Sequence, residues 1–146
     1  MNSPPDVARF RIRRAEWPRD RDALRRVRSR VFIEEQGVPA ALEWDADDEN
    51  AVHLLAEDSL SDPIGTARLL STGQIGRMAV LERWRGRGVG SALLREILSI
   101  ALADGRPRPF LNAQTSALPF YRRAGFLPVG PEFLEAGIPH QKMNLP

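Results

Sequence analysis

The chain has 146 residues, of which 42% are hydrophobic and 27% charged. Those are ordinary values for a soluble globular protein, and the length suits one domain spanning residues 1–146 with a real core. There is no cysteine, which excludes disulfides, zinc–thiolate sites, iron–sulfur clusters and a thiol nucleophile. His53 and His140 are the only histidines, so a His-rich metal centre is excluded and no metal is expected. The net charge of +2 is too small to argue for nucleic acid.

The opening Met-Asn-Ser-Pro-Pro-Asp lacks a basic-then-apolar leader pattern, and no apolar run approaches the roughly 20 residues of a membrane span. The expectation is a cytoplasmic protein with no membrane partner.

Ala8-Arg9-Phe10-Arg11-Ile12-Arg13 alternates apolar and basic residues, the period of a half-buried strand. Trp17-Pro18 punctuates the chain, and Asp20 and Asp22 suit the positive end of a helix. Leu24, Val27 and Val31 follow at helical spacing, predicting a helix from about Arg19 to Ile33, stopped by Gly37 and Pro39. Ala40 to Asn50 reads as an acidic loop with room for a helical turn. Val52–Ala56 and Ile64–Leu70 form a predicted hairpin, and a turn at Ser71-Thr72-Gly73 leads into Ile75–Leu81.

A long helix follows Gly90, with Leu93, Leu94, Ile97, Leu98, Ala101 and Leu102 on its apolar positions, and Asp104-Gly105 ends it. Pro109–Ala113 is a strand, Ser116–Ala124 a short helix, and Phe126–Val129 and Gln141–Leu145 the last strands. The order β-α-β-β-β-α-β-α-β-β predicts a mixed α/β layering of sheet and helices.

The charges are segregated. Ten arginines lie from Arg9 to Arg30, and ten acidic residues with no Lys or Arg lie from Glu34 to Asp62. One reading is two solvated faces that attract each other; the other is an acidic surface that draws in a cationic ligand. Asp45 to Asn50 invites a calcium reading, but the sixth and twelfth loop positions would be Asn50 and Ala56, so an EF-hand is rejected. Trp17, Trp44 and Trp84 are spread out and form no stacking platform, which disfavours arginine-rich RNA binding. His53 sits in an apolar strand and reads as structural.

The most informative segment is Arg85-Gly86-Arg87-Gly88-Val89-Gly90-Ser91, between a predicted strand and a predicted helix. Glycines let the backbone approach a ligand with its N–H groups outward, the helix dipole adds partial positive charge, and the arginines add full charges. This is a recipe for a phosphate or pyrophosphate site. A P-loop would need a lysine, and a dinucleotide fingerprint would need glycine at Ser91. What remains is Arg85-x-x-Gly88-x-Gly90.

That motif resembles the pyrophosphate loop of the GNAT superfamily, the acyl-CoA-dependent N-acyltransferases. Gly76-Arg77-Met78-Ala79-Val80 is similar to the strand before that loop, and Phe120-Tyr121-Arg122-Arg123-Ala124-Gly125-Phe126 to the family's Phe-Tyr-x-x-x-Gly-Phe segment. The likeness runs from about Arg9 to Asn144. Val31 to Pro39, then Glu43, Asp45, Asp48 and His53, with Leu111-Asn112-Ala113-Gln114 and Phe133 to His140, resembles the ElaA-like and YjcF-like subgroup.

The resemblance implies a GNAT fold: a mixed, mostly antiparallel central sheet with helices on both faces. It implies acetyl-CoA as co-substrate. Backbone N–H groups of Arg87, Gly88, Val89, Gly90 and Ser91 would hold its pyrophosphate, with Gly86 in the same cofactor-binding loop and Arg85 assisting the phosphates or the adenosine end. Met78, Ala79 and Val80 would pair with the pantetheine arm as an added strand. Val80 N–H would polarise the thioester carbonyl, Asn112 would hydrogen-bond beside the pantetheine, and Tyr121 would protonate the departing thiolate.

Glu34, Glu35, Glu43 and His140 are the candidates for acceptor binding and for the base that deprotonates the amine. The implied partner is a small amine, expected to be cationic, acetylated by direct attack. A catalytically weak CoA-binding sensor of the same fold is the alternative. Dimers are common in the family, so a homodimer is the partner state it adds, although no residue marks an interface.

Overall fold

The computed structural model describes residues 9–103, 105 and 107–146. The predicted strand start at Ala8 and helix stop at Asp104 lie outside the described residues.

Strand β1 (Phe10–Ala15) pairs antiparallel with β2 (Val52–Asp58), which pairs antiparallel with β3 (Pro63–Leu69). Helix α1 (Trp17–Arg28) carries Pro18 in its first turn, and Asp20 accepts the Glu16 N–H at 2.8 Å, reaching back to the cap. Arg25, Arg26 and Arg28 sit in its last turn, where cations suit the dipole. The predicted helix therefore starts two residues early, at Trp17. It also changes pitch at Ser29, widening into a π-type turn over Ser29–Glu35. The acidic loop contains a short helix α2 (Ala40–Glu43) and a 3-10 turn (Ala46–Asn50).

Strand β4 (Gln74–Val80) pairs antiparallel with β3. Helix α3 (Val89–Ala103) then leads back to β5 (Phe110–Gln114), which lies parallel to β4. Helix α4 (Leu118–Arg123) precedes the hairpin of β6 (Leu127–Glu135) and β7 (Ile138–Asn144). The strand order is β1-β2-β3-β4-β5-β7-β6. All neighbours are antiparallel except β4 and β5, as expected.

Helices cover both faces. On one, α3 packs through Val89, Leu93 and Ile97 onto Leu54, Leu69 and Leu111. Gly65 permits this closeness, since a Cβ there would stand 3.0 Å from Leu93 Cδ1. On the other, α1 sets Leu24 on Leu55 and Val27 near Ala79.

The last two strands run longer than expected. Phe133 to His140, expected among the closing loops, forms the end of the β6–β7 hairpin. Its turn is Ala136-Gly137, both at positive φ (+52° and +75°), the twist a tight hairpin needs.

Candidate active site

The site arises from a break in the sheet. The parallel β4–β5 pairing holds for two rungs, Gln74↔Phe110 and Ile75↔Leu111, and then stops. On the other side of β4, Ala67 faces both Arg77 and Met78, because Thr66 pairs with Ala79 and Arg68 with Gly76. That is a β-bulge, and bulges bend the strand that carries them. Arg77 sits at φ +48°, a rare conformation for a side chain with a Cβ. The result is a cleft of about 900 Å³ between the two strands, a usual size for a small-molecule site.

The free edge of β4 can be oriented from its bonds. Leu81 N–H donates to the Ile64 carbonyl at 2.9 Å, toward β3. Antiparallel strands alternate, so Val80 turns its N–H and carbonyl toward the cleft. The Arg77 carbonyl accepts the Thr66 hydroxyl at 2.8 Å on the β3 side. Met78 N–H shares that peptide plane and points the opposite way, also into the cleft. Two backbone donors, Met78 and Val80, therefore face it, with Ala79 turned to β3 between them.

The glycine-rich loop closes one end. Gly86 and Gly88 have φ of +74° and +86°, and a Cβ on either would meet nothing within 4 Å, so the loop is open as well as left-handed. The Gly88 carbonyl accepts the Ala92 N–H at 3.0 Å. Gly88 thus caps α3, and the N–H groups of Val89, Gly90 and Ser91 have no helical carbonyl to meet. Gly90 abuts both other walls, since a Cβ there would lie 3.5 Å from Phe120 and 3.8 Å from Val80. A cradle of unclaimed donors at a helix start fits a pyrophosphate.

The two arginine side chains of the loop have partners within the chain. Arg87 lies over the Trp84 ring at 5.2 Å. Arg85 donates to both Glu35 oxygens at 2.7 and 2.9 Å and to the Val80 carbonyl at 2.9 Å. The pair holds the Glu35 carboxyl below its usual range and raises Arg85. The loop's backbone is open to a ligand, whereas the Arg85 guanidinium is already engaged.

Tyr121 lines the cleft from α4, packed edge-on against Phe120 and Phe126. Burial alone pushes its phenol up to about 12, so it stays neutral at every working pH. Asn112 lines the opposite wall on β5. Next along that wall, Gln114 donates to Gln36 at 2.8 Å, a bridge from β5 to the chain after α1.

The four acidic or basic acceptor candidates separate cleanly. Glu34 is exposed, pairs with Arg30 at 3.2 Å and does not line the cleft. Glu35 is outside it too, held by Arg85. Glu43 reaches its wall, but the carboxylate is buried against Arg28 at 2.8 Å and Arg77 at 2.9 Å. Burial pushes Glu43 up, outweighing the pull of Arg77 and Arg28.

His140 is different. It lines the cleft, stacks on Phe133, and holds the Ile138 carbonyl at 2.6 Å through Nδ1. A carbonyl only accepts, so Nδ1 carries the proton and Nε2 holds the lone pair of the neutral ring. Nε2 lies 3.6 Å from the Glu135 carboxylate.

Glu43, Asp45 and Asp48 of the acidic segment form neither a solvated face nor an open cation trap, although the basic and acidic runs do attract each other through Arg28. Arg28, Arg68 and Arg77 draw Glu43, Asp45 and Asp48 into one ion-pair network, with Arg28–Asp48 and Arg68–Asp45 both at 2.8 Å. Trp17 and Trp44, expected apart, share the guanidiniums of Arg25 and Arg28. His53 is structural as expected, stacked on Trp17 and bonded to the Asp48 carbonyl at 2.8 Å. Sequence reasoning missed this network, the Gln36–Gln114 bridge and the bulge at Arg77, since no residue type announces an arginine at positive φ. Glu135 was visible only as part of a motif.

Solved structures share this fold. A putative N-acetyltransferase from Lactobacillus plantarum superposes with a TM-score of 0.83 at 26% identity, covering 93% of this chain and 98% of that one. Escherichia coli ElaA gives 0.82 at 28% identity, covering 92% and 98%. In sequence, the chain is 40% identical over 122 residues to YjcF of Bacillus subtilis, an uncharacterized N-acetyltransferase, covering 80% of this chain and 86% of YjcF. Residues 19–146 match the acetyltransferase (GNAT) domain family. The chain belongs to the GNAT family of N-acetyltransferases.

Proposed function

We propose that the protein transfers an acetyl group from acetyl-CoA to the primary amine of a small cationic acceptor, by direct attack in a ternary complex. The observation that carries this reading is convergence. The open helix-start cradle, the inward N–H groups of Met78 and Val80, and the lone-pair nitrogen of His140 all border one cleft.

Acetyl-CoA supplies the activated thioester. The chain's own groups account for the rest. Gly86 to Ser91 offer backbone donors to the pyrophosphate. Met78 and Val80 give the pantetheine an edge to pair with, whereas Ala79 turns its polar groups to β3, and Val80 or Met78 N–H holds the thioester oxygen as charge builds on it. His140 Nε2 accepts the proton that an ammonium acceptor must lose, and Glu135 steadies the imidazolium formed.

Tyr121 offers a neutral hydroxyl to the departing sulfur. Burial holds the phenol above its ordinary value and therefore neutral, so it can donate to the departing thiolate and protonate it.

A cationic acceptor is supported by what the ion-pair network leaves over. Glu43 and Asp45 are committed to Arg77 and Arg68. Asp47 and Glu135 also line the cleft, and they remain to meet an ammonium.

The first test is thermal stability with acetyl-CoA, using ATP and NAD as controls. Donor at 100 times its Kd should add about 2.7 kcal/mol, a rise of roughly 5–15 °C. No shift in folded protein removes the reading. Amine screening follows with polyamines, amino sugars and acidic or neutral amines; turnover of the latter two alone defeats the cationic acceptor. His140→Gln should lower kcat by about 10²–10⁴ while the acetyl-CoA Kd holds.

A further inference from the structure

Neither packing nor backbone conformation calls for a glycine at position 76 of β4. Gly86 and Gly88 stand at positive φ, whereas Gly76 does not. A Cβ on Gly65 would press on α3, but a Cβ on Gly76 would meet nothing within 4 Å. Glycine weakens a strand, and it marks places where a ligand or another backbone approaches closely. Gly76 lines the cleft, so the approach it permits is that of a ligand.

Directly across from Gly76 on β3 is Arg68, and cross-strand partners share a face. The next pair, Leu69 and Ile75, faces the α3 core, so Arg68 and Gly76 face the ion-pair network on the other side. Arg68 is 4% exposed and also lines the cleft. Its Nη1 donates to Asp45 and Asp48 at 2.8 and 3.0 Å. Its Nε–H is buried and has no acceptor among the described residues. Buried donors are nearly always paired, and a guanidinium does not shed its proton. Asp47 is the neighbour of Arg68, because its N–H donates at 3.2 Å to the same Asp45 oxygen that Arg68 holds. The Asp47 side chain is exposed and lines the cleft as well.

A group lying over Gly76 therefore meets one N–H to accept from and one carboxylate to donate to. A hydroxyl does both. An ammonium cannot accept, and a carboxylate cannot donate and would face Asp45 and Asp47. We propose that Gly76, Arg68 and Asp47 form an acceptor subsite for a hydroxyl, so that the acceptor is a hydroxylated amine of the amino alcohol or amino sugar class. This rests on the acetyl transfer proposed above. The subsite also sets a length. Met78 and Val80, whose N–H groups face the thioester, lie two and four residues further along β4, about 7–13 Å at ~3.3 Å per residue. The hydroxyl and the reacting nitrogen are that far apart, roughly 6–11 bonds of an extended chain.

The test compares matched acceptors at saturating acetyl-CoA. In 6-aminohexanol the hydroxyl stands about seven bonds from the nitrogen, within that span, and hexylamine is the same chain without it. The alcohol should show a kcat/KM about tenfold or more higher. Ethanolamine is too short to reach and should gain nothing over ethylamine. Gly76→Ala should cut the advantage of 6-aminohexanol several-fold, while the acetyl-CoA Kd holds and stability in urea does not fall. Equal use of 6-aminohexanol and hexylamine overturns the proposal and leaves the proposed function standing; the Arg68 N–H then meets water only. An equal advantage for ethanolamine overturns the placement at Gly76, as does an unchanged advantage in Gly76→Ala. Lower stability of Gly76→Ala also overturns it, since the glycine then serves the fold. If no amine is acetylated, the proposed function fails and the subsite falls with it.

Discussion

The loop from Trp84 to Ser91 and the segment from Ala40 to Asn50 are both rich in charge, and the fold uses that charge in opposite ways. In the loop, two glycines at positive φ keep the backbone open, and the unclaimed groups are N–H donors. In the segment, Glu43 and Asp48 are buried, and their oxygens are taken by Arg28, Arg68 and Arg77. A charged run becomes a binding surface where its partners lie outside the chain, and a structural clamp where they lie within it. The clamp also has a task at the site. Arg77, the bulge residue that turns β4 from β5, is the same residue that holds Glu43 and Asp45.

The largest expected effect separates the two regions outright. Arg28 is 1% exposed and touches both Glu43 and Asp48. Removing one partner of a buried ion pair leaves the other charge stranded, at a cost of about 3–5 kcal/mol. Arg28→Met should lose that much stability in urea denaturation. If the loss is under about 1 kcal/mol, the clamp is not structural.

Gly88→Ala is the mirror experiment. Nothing within 4 Å opposes the new methyl, so the strain is in the backbone alone, about 1–2 kcal/mol for a left-handed residue. Relaxing it would turn the N–H groups away from the ligand. Acetyl-CoA affinity should fall by about tenfold or more by calorimetry. Unchanged affinity would mean that the loop is only a turn.

This contrast also marks where the sequence was legible. The alternation of β1, the apolar positions of α3 and the glycines of the loop are local patterns, and each led to the right element. Arg28 and Glu43 are fifteen positions apart and Arg77 and Asp45 thirty-two, so their pairing depends on topology and not on spacing. The same holds for the base we propose. His140 was one of four equal candidates until Ile138 fixed its Nδ1 proton and the ion pairs occupied the three glutamates. The β6–β7 hairpin runs past the predicted strands: Gly130 and Pro131 stand at a bulge between Val129 and Phe133 and Gly137 in the turn, residue types that ordinarily interrupt a strand pattern.

Acid pH should act with opposite signs on two carboxylates. Asp20 accepts both terminal guanidinium nitrogens of Arg13, at 2.9 and 3.1 Å, which holds it below the usual carboxylate range. Its contribution is present above the unfolded value near ~3.9 and is lost as pH falls through its lower folded value. Glu43 is raised by burial, so its contribution is complete below the unfolded value near ~4.3 and is lost as pH rises through its folded one. In urea titrations from neutral to acid pH, Asp20→Asn should flatten the loss of stability, by on the order of 1 kcal/mol. Glu43→Gln should steepen it, because an offsetting proton uptake is removed. The same slope in both variants would contradict this assignment.

The smallest effect belongs to a contact between the loop and the start of the wider acidic stretch, Glu34 to Asp62. Glu35, at the start of the acidic stretch, holds Arg85 of the loop with two hydrogen bonds. Both side chains are over a third exposed, at 34% and 41%, and exposed pairs are worth about 0–1 kcal/mol. Glu35→Gln should therefore cost less than about 1 kcal/mol, and the difference should fade in 1 M salt, where screening reaches ~3 Å. The donor should respond in the other direction. With its carboxylate partner gone, Arg85 presents a full positive charge beside the pyrophosphate cradle, and acetyl-CoA should bind a few-fold tighter, within the ~1 kcal/mol scale of such a pair. Weaker binding would mean that Glu35 positions Arg85 for the donor, which would make the acidic stretch part of the donor site after all.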